Sequence, residues 1–135
     1  MDYEYQASKA KIAFMTKLMP SLTEQLNLQR FNGKTVITLC KTEHLGTTIQ
    51  VFPGLVLVFI RDSLKLEELA ETLAHEMVHV KQIFAGQLKV LKTGHRTWLG
   101  KKYKESTPYL EMPWELQALS LQAILCRKAV KAAGL

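Results

Sequence analysis

The chain has no apolar run long enough to cross a bilayer. Its longest, Leu55-Val56-Leu57-Val58-Phe59-Ile60, is strand length, well short of the roughly 18 residues a span requires. The N-terminus, Met1-Asp2-Tyr3-Glu4-Tyr5, lacks the basic start and apolar stretch of a secretory signal. Together these predict a cytoplasmic protein without a membrane partner. Cysteine is scarce: Cys40 and Cys126 are the only two. That excludes a disulfide framework and a cysteine-rich metal site, and it fits two reduced, buried thiols. Repeats, linkers and low-complexity tracts are also missing. A chain of 135 residues is then expected to form one domain, residues 1–135, with a modest core and no covalent staples.

The net charge is +6. Basic residues cluster at Lys101, Lys102 and Lys104 and again at Arg127, Lys128 and Lys131. Such a surface favours acidic partners, nucleic acid among them. No nucleic-acid-binding motif accompanies the charge, so an ordinary solvated basic face accounts for it more simply.

What the chain does have is His75-Glu76-Met77-Val78-His79, an H-E-x-x-H pattern inside a helical window. Leu66, Leu69, Leu73, Met77, Val80 and Phe84 recur at spacings of three and four and form an apolar stripe. Residues i and i+4 share a helix face, so His75 and His79 project side by side. They are expected opposite the stripe, together with Glu68, Thr72 and Gln82. Two imidazoles so placed can hold one metal ion at about 2.0–2.1 Å. Glu76 is rotated about 100° from His75, which lets it reach a water on the metal without being a ligand. Metal, water and general base together are what metal-assisted hydrolysis needs.

The surrounding pattern predicts an α+β fold. Tyr3–Met19 reads as an amphipathic helix that Pro20 should end. Ser21-Leu22-Thr23-Glu24 has the form of a capping box for a short second helix to about Arg30. Three strands follow: Lys34–Lys41, Thr47–Phe52 and Leu55–Arg61. Thr47–Phe52 alternates polar and apolar residues, which suits the edge of a sheet. Leu55–Ile60 is apolar throughout, which suits the interior. Ser63 is a candidate N-cap for the histidine helix and Gly86 its stop. Gln87–Met112 shows little helical periodicity. Pro113 then opens a C-terminal helix as its first residue, running to about Ala132.

A catalytic zinc site has three protein ligands and an open position, so one more ligand is required. Glu115 lies in the first turn of the C-terminal helix. Its face continues through Ala118, Leu119, Gln122 and Cys126, which is largely apolar and expected to point inward. A buried carboxylate needs a partner, and a metal would serve. A glutamate favoured by the helix dipole accounts for Glu115 equally well. His95, in Gly94-His95-Arg96-Thr97-Trp98, is the rival ligand. His44 falls in a turn between strands. Arg96, Tyr103 and Tyr109 are candidate donors to a developing oxyanion.

Three segments carry a resemblance. They are Ala74-His75-Glu76-Met77-Val78-His79-Val80-Lys81-Gln82 with Gly86, Trp98-x-Gly100-Lys101-Lys102-Tyr103, and Pro113-Trp114-Glu115-x-x-Ala118. Over about Leu55–Leu119 the chain resembles small single-domain zincins of bacteriophages and bacteria, gluzincin-like and SprT-like in the broad sense. The resemblance implies a zincin-like fold: an N-terminal helix, a small sheet of about three strands, the H-E-x-x-H helix, and a C-terminal helix carrying the third ligand. It implies Zn²⁺ held by His75, His79 and Glu115, with Glu76 as general base, in a metallopeptidase acting on protein or peptide substrates. For a phage-encoded protein it places the chain in the host cytoplasm or virion. Two departures stand out. Gln117 occupies the place of a second acid in the Pro-Trp-Glu motif, and Leu119 stands where many gluzincins have an aspartate. The alternatives are a zinc-binding structural or assembly protein without turnover, and SprT-like processing of DNA-associated proteins.

Overall fold

The computed structural model describes residues 1–135. Its elements are β1 (Asp2–Gln6), α1 (Lys9–Gln25), β2 (Lys34–Cys40), β3 (Gly46–Phe52), β4 (Leu55–Arg61), α2 (Leu66–Phe84), β5 (Leu88–Val90), β6 (Arg96–Trp98), β7 (Lys101–Tyr103) and α3 (Pro113–Ala132). Short 3-10 turns precede β2 and α3. The architecture is α+β. A four-stranded sheet has the order β1-β2-β4-β3, and a separate three-stranded sheet has the order β5-β6-β7. None of the helices is long and apolar enough to cross a membrane.

β1, β2 and β4 run parallel, and β3 is antiparallel to β4. β4 is therefore interior and β3 lies at an edge, as their patterns predict. Val56, Val58 and Ile60 of β4 are fully buried, while Ile49 and Val51 of β3 are exposed. Pro53 and Gly54 make the turn between the two strands.

The expected helix over Tyr3–Met19 is instead strand β1 followed by a helix that starts at Lys9. Tyr3 and Tyr5 suit a strand, and the sheet supplies partners for the backbone: β1 pairs with β2 over its whole length. The sheet accordingly has four strands, not three. Pro20 does not end α1 but lies inside it, and Ser21 starts no new helix. Met15, Leu18, Met19 and Leu22 are all buried at helical spacing. Burying each such side chain is worth about 1.5–3 kcal/mol. The four together outweigh the roughly 3 kcal/mol an interior proline costs.

α2 also starts later than Ser63 suggests. Lys65 is its N-cap, and its backbone N–H donates to Glu68 Oε1 at 3.2 Å. Leu64 and Leu69 flank that start, at the two positions of a hydrophobic staple, and both are buried. At the other end Gly86, at φ +74°, stops the helix as expected. Gly86 N–H donates to Ile83 O and Gln87 N–H to Gln82 O, the paired bonds of a Schellman turn.

The helix between these ends is more enclosed than a one-sided stripe implies. Glu76, His79 and Gln82 are buried along with Leu69, Leu73, Met77 and Val80. Around His79 and Gln82 the histidine face is not solvated, because α3 and β3 pack over it, while Glu68 towards the helix start stays exposed. This burial turns a pair of helical histidines into a defined site.

Candidate metal centre

Three elements deliver the central residues. α2 contributes His75, Glu76 and His79, α3 contributes Glu115, and β3 closes over Glu76. Glu115 Oε1 lies 3.0 Å from His75 Nε2 and 2.9 Å from His79 Nε2. The three candidate ligand atoms lie within 4.8 Å of one another, close enough for one ion to engage all three after small side-chain adjustments. The structure thus brings His75, His79 and Glu115 together and leaves His95 outside the group. His95 sits before β6, with a buried Nδ1 that has no hydrogen-bond partner. His44 is exposed at the rim of the cavity beside His75.

The hydrogen-bond network shows why these atoms suit a cation. Gln82 Nε2 donates to Trp114 O at 3.0 Å and to Gln117 Oε1 at 2.9 Å. Because a backbone carbonyl only accepts, the amide nitrogen of Gln82 must lie on that side. Gln82 Oε1 then faces His79 Nδ1 at 2.8 Å, and Nδ1 must carry the proton. His75 repeats the logic. Gln122 Nε2 donates to the Glu71 carboxylate at 2.7 Å, so Gln122 Oε1 accepts from His75 Nδ1–H at 2.6 Å. Each neutral imidazole therefore turns an Nε2 lone pair towards Glu115 Oε1. Lone pairs facing a carboxylate oxygen at this distance repel unless positive charge lies between them. Two protons would serve only by making two imidazolium rings whose centroids are 4.9 Å apart, a costly like-charge pair. One divalent cation satisfies all three atoms at once. The donor set, two imidazole nitrogens and a carboxylate, suits Zn²⁺ among other divalent ions.

The electrostatics agree with this convergence. Where protons rather than a cation meet the Nε2 atoms, burial favours the neutral acid of Glu115, but hydrogen bonds from the protonated His75 and His79 rings outweigh it and hold the carboxyl far below the usual range. For His75, burial favours the neutral ring, yet the bonds to Glu115 and Gln122 raise its pKa above the ordinary histidine value. Glu76 is different. Burial pushes its pKa up, against the opposing pull of His79, Thr48 and His75.

Glu76 is not part of the ligand group. Its Oε2 lies 3.9 Å from His75 Nε2, and its Oε1 accepts from Thr48 Oγ1 at 2.7 Å. Gly46 lets β3 approach this closely. A Cβ there would sit 2.9 Å from Glu76 Cγ and 3.0 Å from Oε2. Edge strand and α2 are thus joined at the candidate base.

The remaining candidates divide. Tyr109 Oη donates to Glu115 Oε1 at 3.2 Å, and burial followed by the Glu115 charge pushes its pKa up to about 12. It stays a protonated donor beside the centre. Tyr103 instead packs edge-on against Trp114 at 5.4 Å. Arg96 lies over the same indole at 5.8 Å and also lines the cleft. The Trp98–Tyr103 motif is a hairpin, with Leu99 and Gly100 both at positive φ, as a two-residue hairpin turn demands. It props Trp114, the residue before Glu115.

Gln82, Gln122, Glu71 and Thr48 were not legible as site residues from the motif alone. A signal exists for two of them. Gln82 lies one helical turn beyond His79, and Gln122 lies two turns beyond Glu115. Gln117 replaces the expected second acid by accepting from Gln82, so it acts on His79 at one remove. Leu119 does not point into the core: it is 39% exposed and lines a cavity.

Two cavities meet at the centre, of about 460 and 230 Å³. Gly46, His75, Glu76 and Tyr109 line both. Compared with known proteins, the chain matches no family model, no curated protein and no solved structure.

Proposed function

We propose that the protein is a zinc-dependent peptidase. The observation that carries this reading is the pairing of a His75–His79–Glu115 ligand set with a buried, non-ligating Glu76 beside it. Zn²⁺ bound there would acidify a water molecule and polarise a scissile carbonyl. Glu76 takes the proton of the attacking water and returns it to the leaving amine. Thr48 fixes the carboxylate at one oxygen and leaves the other, on the His75 side, for water. Tyr109 donates towards the same region and is placed to steady negative charge on the substrate oxygen.

β3 supports a peptide as substrate. Its outer edge is unpaired, and its residues Gly46, Thr47, Thr48 and Ile49 line the smaller cavity with His75 and His79. An extended chain added along that edge lies across the metal-binding atoms.

Elemental analysis of untagged protein should find one zinc per chain, lost in the His75→Ala, His79→Ala double variant. Glu76→Gln should keep zinc and lose hydrolysis of a mixed peptide digest. Full zinc occupancy without any hydrolysis by the wild-type protein would replace this reading with that of a zinc-binding structural protein. Equal hydrolysis by Glu76→Gln would remove Glu76 as the base.

A further inference from the structure

The two cavities that meet at the centre differ in chemistry. The smaller is lined by Ile83, Leu88, Val90 and Trp114, with Arg96 as its cation. The larger holds Glu68 and Glu71 besides Glu76, and neither Lys nor Arg lines it. That is notable in a chain of net charge +6. Its other walls include Leu45, Thr72 and Leu119, with both leucines exposed.

Glu71 and Glu68, both on exposed positions of α2, stand at graded distances from His75. They precede His75 on α2 by four and seven residues, or roughly 6 and 10 Å of helix rise. Glu71 uses Oε1 to hold Gln122, and Glu68 uses Oε1 for the Lys65 N–H. No hydrogen bond engages the second oxygen of either. The cavity therefore combines apolar wall from Leu45 and Leu119 with negative charge one to two helical turns from His75. A long side chain with an aliphatic stem and a cationic end matches that sequence of surfaces. A short cation would not reach the carboxylates, and an acidic side chain would be repelled.

We propose that this cavity is the specificity pocket for a lysine or arginine side chain next to the scissile bond. The proposal rests on the peptidase reading and assigns its substrate class. Arginine has the better fit, because its planar fork can bridge a carboxylate oxygen while keeping other donors for the second glutamate.

Amino-acid hydroxamates test the pocket without turnover. Arginine, norleucine, 2,3-diaminopropionic acid and glutamate hydroxamates are titrated against the zinc-loaded protein. The arginine compound should bind at least about tenfold more tightly than norleucine, the scale of one charge-assisted hydrogen bond. The short diaminopropionic cation should gain little over norleucine, and glutamate should bind worst. In Glu68→Gln and Glu71→Gln the arginine-to-norleucine ratio should fall, a quantity that any shared change in zinc affinity leaves unmoved. In Glu71→Gln the new amide oxygen still accepts from Gln122. Equal binding of arginine and norleucine hydroxamates would overturn the pocket and leave the peptidase reading standing. An advantage for the short cation equal to that for arginine would show general attraction, and would also overturn the pocket. If no hydroxamate binds zinc-loaded protein, the peptidase reading falls and takes the pocket with it.

Discussion

His79 and His75 have the same place in the candidate metal group but are held in very different surroundings. His79 is anchored inward. Gln82, which takes its Nδ1 proton, is fully buried and tied to the Trp114 carbonyl and to Gln117. Trp114 itself is buried beneath the hairpin residues Tyr103 and Arg96. His75 is anchored outward. Gln122 and Glu71 orient it along the wall of the larger cavity, and the Gln122–Glu71 bond is solvent-exposed. One ligand is therefore an extension of the core and the other an extension of the cleft. Metal affinity should depend on both, whereas folding should depend mainly on the His79 side.

The largest effect that can break this comparison comes from Gln82→Leu. The change leaves His79 Nδ1–H without its acceptor, whereas the Trp114 carbonyl keeps its place in the backbone ladder of α3 and the exposed Gln117 can turn to water. An unsatisfied buried group costs about 1–3 kcal/mol, so denaturant unfolding of the metal-free protein should show a loss of roughly 2 kcal/mol. Loss of the orienting acceptor should also lower zinc affinity 10–100-fold. A variant as stable as the wild type would mean that the His79 side is not part of the core in any energetic sense.

Gln122→Leu sharpens the comparison from the other side. It removes the acceptor for His75 Nδ1–H and should lower zinc affinity by a similar 10–100-fold. Both freed partners border the cavity and can turn to water, so the unfolding free energy should change by less than about 1 kcal/mol. Competition with a chelating dye reads the first quantity and urea denaturation the second. A stability loss as large as that of Gln82→Leu would erase the distinction between the two anchors.

The same contrast separates what was legible in the sequence from what was not. The two histidines, Glu76 and the stop at Gly86 follow from helical spacing and turn chemistry, which are local. The inner position of Leu55–Ile60 and the outer one of Thr47–Phe52 follow from hydrophobic pattern. Glu115 was open between a metal partner and a helix-end acid, and only the packing of α3 on α2 brings it against both histidines. Pro20 misled because a local rule lost to four buried side chains that it could not weigh. Tyr3–Gln6 misled because a short strand at the chain start is decided by its partner β2, more than thirty residues away. The glutamines were hardest. An amide announces nothing by spacing, and its role emerges only when its two ends are seen to face different partners.

The smallest expected effect tests a third anchor, which belongs to neither histidine. Thr48 reaches Glu76 from the edge strand and makes no hydrogen bond to His75, His79 or Glu115. Thr48→Val keeps the β-branched shape, so β3 should keep its pairing with β4. One hydrogen bond to a carboxylate is lost, at a cost of about 1.5–3 kcal/mol where that bond is fully felt. Glu76 also gains freedom to turn away from the water site. Zinc affinity should therefore match the wild type and unfolding should lose about 1.5 kcal/mol, the low end of that range, while on the peptidase reading kcat/KM on a cleaved peptide should fall about tenfold. Thr48→Ser, which restores the hydroxyl, should recover most of the loss, and a variant lacking only bulk would not be rescued in this way. If Thr48→Val instead weakens zinc binding as Gln122→Leu does, then β3 supports the ligands and not the base. The separation of roles between core, cleft and edge strand would then have to be redrawn.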